Sequence, residues 1–156
     1  MLGLIKLAVG VSSPEELIQR QKMSENLYTH PDYGPVPVVY TRFFPKRADE
    51  LLNGGSLYRV IGGLIVCRQT ILDIKSGTRP DGRESTLICV SPELIRTNPM
   101  TMRPFQGWRY LDGKDCPPDS AFQSCSELPG SLQKKLVMLG LASLFFCLVS
   151  LNTAIL

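Results

Sequence analysis

Nine residues between positions 42 and 110 carry the chemistry of a receptor for anions and bases: Arg42, Lys46, Arg47, Arg59, Arg68, Arg103, Trp108, Arg109 and Tyr110. A guanidinium forks parallel N–H bonds onto a phosphate, and an aromatic face stacks on an unpaired base. Interleaved in one segment, the two types describe a candidate nucleic-acid surface, with RNA as the partner whose unstacked bases suit it. A blander reading stands beside it. Phe105, Trp108 and Tyr110 can be core and packing residues of a strand, and arginines along a hairpin can pair with Asp49, Glu50 and Asp73, with little effect on stability.

Charge is distributed unevenly. Residues 39–110 carry eleven basic and six acidic groups, a local +5, while residues 1–38 and 111–156 each carry three basic and four acidic groups. That centre suits an anionic partner, and a solvated basic face without a partner would show the same excess.

Other chemistries find little support. The chain has no phosphate-binding glycine loop, metal-ligand spacing, nucleophile elbow or nucleophile-plus-histidine pair, so binding is favoured over catalysis and neither cofactor nor metal is expected. Asp49 and Glu50 adjoin on a short helix, where neighbours point about 100° apart and do not share a proton. The single histidine, His30, sits beside Pro31 in a turn-rich stretch and reads as a solvated loop residue. Five cysteines, Cys67, Cys89, Cys116, Cys125 and Cys147, form no close pair and read as reduced thiols in a cytoplasmic setting. Cys67, Cys89 and Cys147 lie in apolar runs as small core residues, and Cys116 and Cys125 lie in a loop.

The elements that must position these residues follow from local pattern. Leu4 to Val11 is apolar on both faces and reads as a buried strand. Ser13, Pro14 and Glu16 form a helix start, and the helix should run to Leu27, with Leu17 inside and Gln19, Arg20, Gln21, Lys22 and Glu25 in water. Tyr28 to Pro37 is rich in turn formers, and Val38 to Phe44 reads as a strand. A short helix, Lys46 to Asn53, should bury Ala48, Leu51 and Leu52 and stop at Gly54-Gly55. Leu57 to Ile61 and Leu64 to Ile74 flank Gly62-Gly63, the signature of a tight hairpin. Lys75 to Ser85 reads as a loop with a Pro80-Asp81-Gly82 turn. Strands follow at Thr86 to Val90 and Phe105 to Leu111, with an irregular stretch around Asn98-Pro99 between them.

At 156 residues, 44% hydrophobic and 20% charged, the chain suits one folded core. The expected architecture is α+β, mainly antiparallel, with flanking helices: an α+β domain over residues 1–130 and a C-terminal apolar helix over 131–156. Leu136 to Leu156 holds no charged side chain, and its 21 residues at about 1.5 Å each would just cross a bilayer core of about 30 Å. Lys134 and Lys135 precede it, as they would a tail anchored in the inner membrane. Gly140, Ser143, Cys147, Ser150 and Ala154 form a stripe of small residues, which suits packing in a bilayer or against the protein's own sheet. A membrane-tethered interaction protein is therefore the second functional reading, and a small enzyme of unrecognised class the third.

Several strings are long enough to carry a family resemblance: residues 6–11, residues 45–52 followed by Gly54-Gly55-Ser56-Leu57-Tyr58, Arg68-Gln69, and residues 105–111. On these the chain resembles a bacterial family of uncharacterised proteins, domain of unknown function 1489, over most of residues 1–142. The resemblance implies no substrate or cofactor. It implies tryptophan where this chain has Arg59 and lysine where it has Gly62, and the first difference would weaken a stacking surface on the hairpin. The order helix, Gly-Gly, strand, glycine turn, strand is also similar to the small PUA-like barrels, many of which bind RNA; that is analogy from element order alone.

Overall fold

The computed structural model describes residues 1–121. Their elements run β1 (Leu2–Leu7), α1 (Pro14–Gln21), a 3₁₀ turn (Ser24–Asn26), β2 (Leu27–His30), β3 (Gly34–Thr41), α2 (Ala48–Leu52), β4 (Ser56–Ile61), β5 (Leu64–Thr78), β6 (Glu84–Val90), β7 (Ile95–Thr101), β8 (Trp108–Asp112) and a second 3₁₀ turn (Gly113–Asp115). The expected helix and domain boundary near residue 130, and the apolar stretch 136–156, lie outside the described residues. No helix among the described residues is long and apolar enough to cross a membrane.

The fold is α+β. One sheet runs β2-β3-β6-β5-β4-β1-β8, and it curls into a half-barrel. Pairing is antiparallel except between β1 and β4, which are parallel because α1, β2, β3 and α2 lie between them in the chain. β5 organises the sheet: β4 and β7 pair with its first half, and β6 pairs with its second.

Alternation along β1 explains why its sequence is apolar on both faces. Leu2 and Leu4 join Leu51, Leu57, Ile71, Ile74, Ile88 and Val90 in one core, while Ile5 joins Tyr58, Val60, Ile65 and Leu111 in another. Each fully buried leucine or isoleucine contributes about 1.5–3 kcal/mol of apolar burial. The strand ends at Leu7, earlier than its sequence suggests, and Val9 is exposed.

Helix α1 starts as its sequence requires. Ser13 Oγ accepts the Glu16 N–H at 3.2 Å, and the Glu16 carboxylate reaches back to the Ser12 N–H and hydroxyl. Those bonds hold the Glu16 carboxyl below the usual carboxylate range. The helix ends at Gln21 rather than at Leu27, because Asn26 donates its side-chain amide to the Arg20 carbonyl at 2.8 Å and closes the last turn. Gln21, expected in water, is buried, and it exchanges two 2.8 Å hydrogen bonds with buried Gln69 on β5.

The turn-rich stretch before Val38 proves to be the β2–β3 hairpin. Pro35 and Pro37 are tolerated because their spacing of two puts both missing N–H groups on one edge, where β6 begins to pair only at Val38. Likewise Asn98-Pro99 lies within β7, across from the register shift between Ile65 and Cys67. The Gly62-Gly63 hairpin forms as expected, with φ of 59° and 81°, the two left-handed positions of a tight turn. β5 continues past Ile74 to Thr78, so the expected polar loop shrinks to the turn between β5 and β6. In α2, Leu51 is fully buried, whereas Leu52 faces solvent at 39% exposure.

Candidate nucleic-acid interface

Strand register sorts the candidate residues by face. Trp108 lies opposite Lys6, and Lys6 lies beside Arg59 on β4; Arg109 lies opposite Ile5, one residue out of phase. Trp108 and Tyr110 therefore share the face of Leu4 and Leu57, while Arg109 and Arg68 belong to the opposite face with Ile5 and Tyr58.

On the first face the structure gathers Arg42, Lys46, Arg47, Trp108 and Tyr110. Trp108 is half-buried against the core and donates its indole N–H to the Phe43 carbonyl at 2.9 Å. The Thr41 hydroxyl donates to the same carbonyl at 3.0 Å, and buried Pro45 anchors the other end of the loop. Tyr110 meets Trp108 edge-to-face with ring centroids 4.9 Å apart, and its hydroxyl accepts the Arg47 N–H at 3.1 Å. The backbone of residues 42–47 is thus pinned from beneath, and every side chain in it except that of Pro45 is exposed. Phe43 is 65% exposed and Phe44 47%. The Arg42 guanidinium lies 5.4 Å from the Phe43 ring centroid, and Lys46 is exposed.

Arg47 contributes less charge than its type suggests. It lies 5.4 Å from the Tyr110 ring centroid and forks Glu50 at 2.9 and 2.7 Å. Those bonds raise the arginine pKa and hold Glu50 below the usual carboxylate range.

The other candidates are elsewhere. Arg68 donates to both Asp119 oxygens at 2.7 and 2.8 Å and to Ser56 Oγ at 2.8 Å, so it ties the 119 loop to the sheet. Arg109 is exposed, 4.9 Å from the Phe105 ring centroid, and Arg103 is exposed in the connection before β8. Arg59 is buried at 6% exposure. Sequence reasoning missed Phe43 and Phe44 because a β-branched and aromatic run reads as a strand; their position just before Pro45 was the available signal.

His30 is not a solvated loop residue. It is 6% exposed at the end of β2, with Nε2 2.8 Å from Asp73 Oδ2 and Nδ1 accepting the Asp32 N–H at 3.1 Å. Nδ1 therefore carries no proton, Nε2 donates to the carboxylate, and neither nitrogen is left for a substrate. Cys67 and Cys89 are buried as expected, and burial raises their pKa values to about 12 and about 11. Among the described residues no cluster of histidine, cysteine and carboxylate side chains could hold a metal ion.

Comparison with known proteins adds a family and no activity. No curated protein and no solved structure matches the chain. A family model described as "Protein of unknown function (DUF1489)" matches residues 4–142, and with most of its length covered the chain belongs to that family.

Proposed function

We propose that the protein is a non-enzymatic module that binds single-stranded RNA over residues 42–47. One observation carries this reading: two exposed phenyl rings stand on a pinned loop beside Arg42 and Lys46, neither of which meets a carboxylate among the described residues. Exposed rings of this size lose water by stacking on bases, and the adjacent cations meet the phosphates that come with them. The Trp108 bond to the Phe43 carbonyl holds the rings out before the strand arrives, so little ordering is needed on binding.

The test is fluorescence anisotropy of labelled single-stranded RNA at several salt concentrations, with quenching of Trp108, the chain's one tryptophan, as a second signal. Phe43→Ala and Phe44→Ala should each lose about 1–3 kcal/mol of binding. Arg42→Ala and Lys46→Ala should each flatten the plot of log K against log salt by about 0.7. Absence of binding at low salt, or equal affinity for duplex and single strand, would remove the proposal.

A further inference from the structure

A second concentration of positive charge lies beside the end of β1. Where β1 ends, a cavity of about 380 Å³ opens between that strand, β3 and α1. Four cations line it, Lys6, Arg20, Arg59 and Arg79, and no carboxylate does. Glu16 lies outside the lining and holds Arg20 at 2.8 Å. Lys6, Arg59 and Arg79 have no acidic partner within 4.0 Å among the described residues.

Arg59 is the decisive group. It is 6% exposed, and its Nε and Nη1 have no hydrogen-bond partner among the described residues. Nη2 makes one long bond, 3.4 Å, to the Leu7 carbonyl. Guanidinium groups buried in proteins are satisfied on their fork by carboxylate, phosphate or carbonyl oxygens, because an unpaired buried charge is strongly unfavourable. Lys6 is Arg59's neighbour in register, and Arg79 is close enough to both the Tyr40 ring, at 5.9 Å, and the Lys6 ammonium to be felt there. Burial lowers Arg59 to about 10, and burial followed by the charges of Arg59 and Arg79 lowers Lys6. Arg59 is still a cation at neutral pH, held in that form against its surroundings.

We propose that this cavity binds a phosphomonoester group, with the Arg59 guanidinium donating to its oxygens and Lys6 and Arg79 closing on the remaining charge. A dianion matches three cations that lack acids, and a planar fork selects an oxyanion of this geometry over a halide. The volume suits a phosphate with a modest organic body. Two sources share that chemistry, a free phosphorylated metabolite and the 5′-phosphate end of a nucleic-acid strand. The inference does not rest on the RNA reading of residues 42–47, since it uses none of their side chains.

The experiment follows thermal unfolding of the full chain in inorganic phosphate and in a nucleoside 5′-monophosphate, each against sodium chloride of equal ionic strength. The expected result is a saturable rise in melting temperature that chloride does not reproduce. It should be absent in Arg59→Met and need at least tenfold more phosphate in Lys6→Gln and Arg79→Gln, which alter rim groups and keep the core intact. Two oligonucleotides of one sequence, with 5′-phosphate or 5′-hydroxyl ends, separate the sources. A preference of tenfold or more for the phosphorylated end that Arg59→Met abolishes assigns the strand terminus, and saturation by the mononucleotide without that preference assigns a small ester. No saturable rise with any of these probes, or an equal rise in Arg59→Met, Lys6→Gln and Arg79→Gln, overturns the site. Loss of oligonucleotide binding in Phe43→Ala with the phosphate response intact would leave this inference standing and touch only the other.

Discussion

Replacing Gln69 with leucine tests how α1 is held against the sheet. Gln69 is fully buried and Gln21 is 8% exposed, and together they form three hydrogen bonds: two reciprocal amide bonds of 2.8 Å, and one of 2.9 Å from Gln69 Nε2 to the Ser91 carbonyl. Each such bond contributes about 1 kcal/mol net, and a partner left buried and unpaired costs about 1–3 kcal/mol. Gln69→Leu strands both ends of the Gln21 amide and the Ser91 oxygen. Gln21 sits near the rim and regains some water, so the expected loss is about 2–4 kcal/mol. In Gln21→Leu/Gln69→Leu only the Ser91 carbonyl lacks its bond while two apolar side chains face each other, and the loss should fall to about 1 kcal/mol. Gln21→Leu leaves the Gln69 Oε1 unpaired and should cost about 1 kcal/mol, so the double variant should fall about 3 kcal/mol short of the sum of its singles, the upper end of the range for residues in direct contact. Urea unfolding of the wild type, both single variants and the double variant measures it, provided the slope against denaturant is unchanged. A loss under about 1 kcal/mol in Gln69→Leu, or a double variant equal to the sum of its singles, would show that the amide pair does not hold the helix. Because Arg20 and Gln21 both line the cavity, Gln69→Leu should also weaken the phosphate response.

Other expectations follow from single groups. In phosphate-free buffer Arg59→Met should raise stability by about 1–3 kcal/mol, since a buried charge without an acid is replaced by an apolar chain of similar length; a lower urea midpoint would mean the guanidinium is already satisfied. The Arg68 fork holds the Asp119 carboxyl below its ordinary value of 3.8, so its stabilising contribution is present above about pH 4 and lost as pH falls through the folded value. Asp119 is half exposed, which limits the contribution to about 0.5–1 kcal/mol, and Asp119→Asn should flatten the acid limb of the stability curve by that amount. Cys67 and Cys89 should resist iodoacetamide at pH 8 in the folded protein and react once urea is added, because burial keeps both thiols protonated and out of reach. Mass spectrometry of peptides containing each cysteine reads that difference, and equal labelling in both states would contradict the burial.

Local pattern carried much of this fold. The Ser13 cap, the two glycines between β4 and β5 and the two-sided burial of β1 are each set by neighbours in the chain, and each is found where those neighbours place it. The family, too, is written in short strings of sequence, and the matching family model covers them. Prolines misled the reading at β3 and β7, because whether a missing N–H matters depends on which edge of the strand is paired. The same dependence hid Gln21, whose polar side chain looks wet until Gln69 arrives from 48 residues away.

The residues with binding chemistry were all visible as types: the arginines, the lysines and the aromatic run before Pro45. Their sorting came from the tertiary structure. Trp108 and Arg109 are adjacent in sequence and face opposite ways, Arg68 is consumed by Asp119, and Arg59 and Lys6 become neighbours only because β1 and β4 run parallel. Composition and spacing determine which groups a chain owns and which strands and turns it forms, since those depend on contacts a few residues apart. Which charges meet an acid, which meet water and which are shut in without either depends on register between distant strands, and that was decided only when the sheet closed.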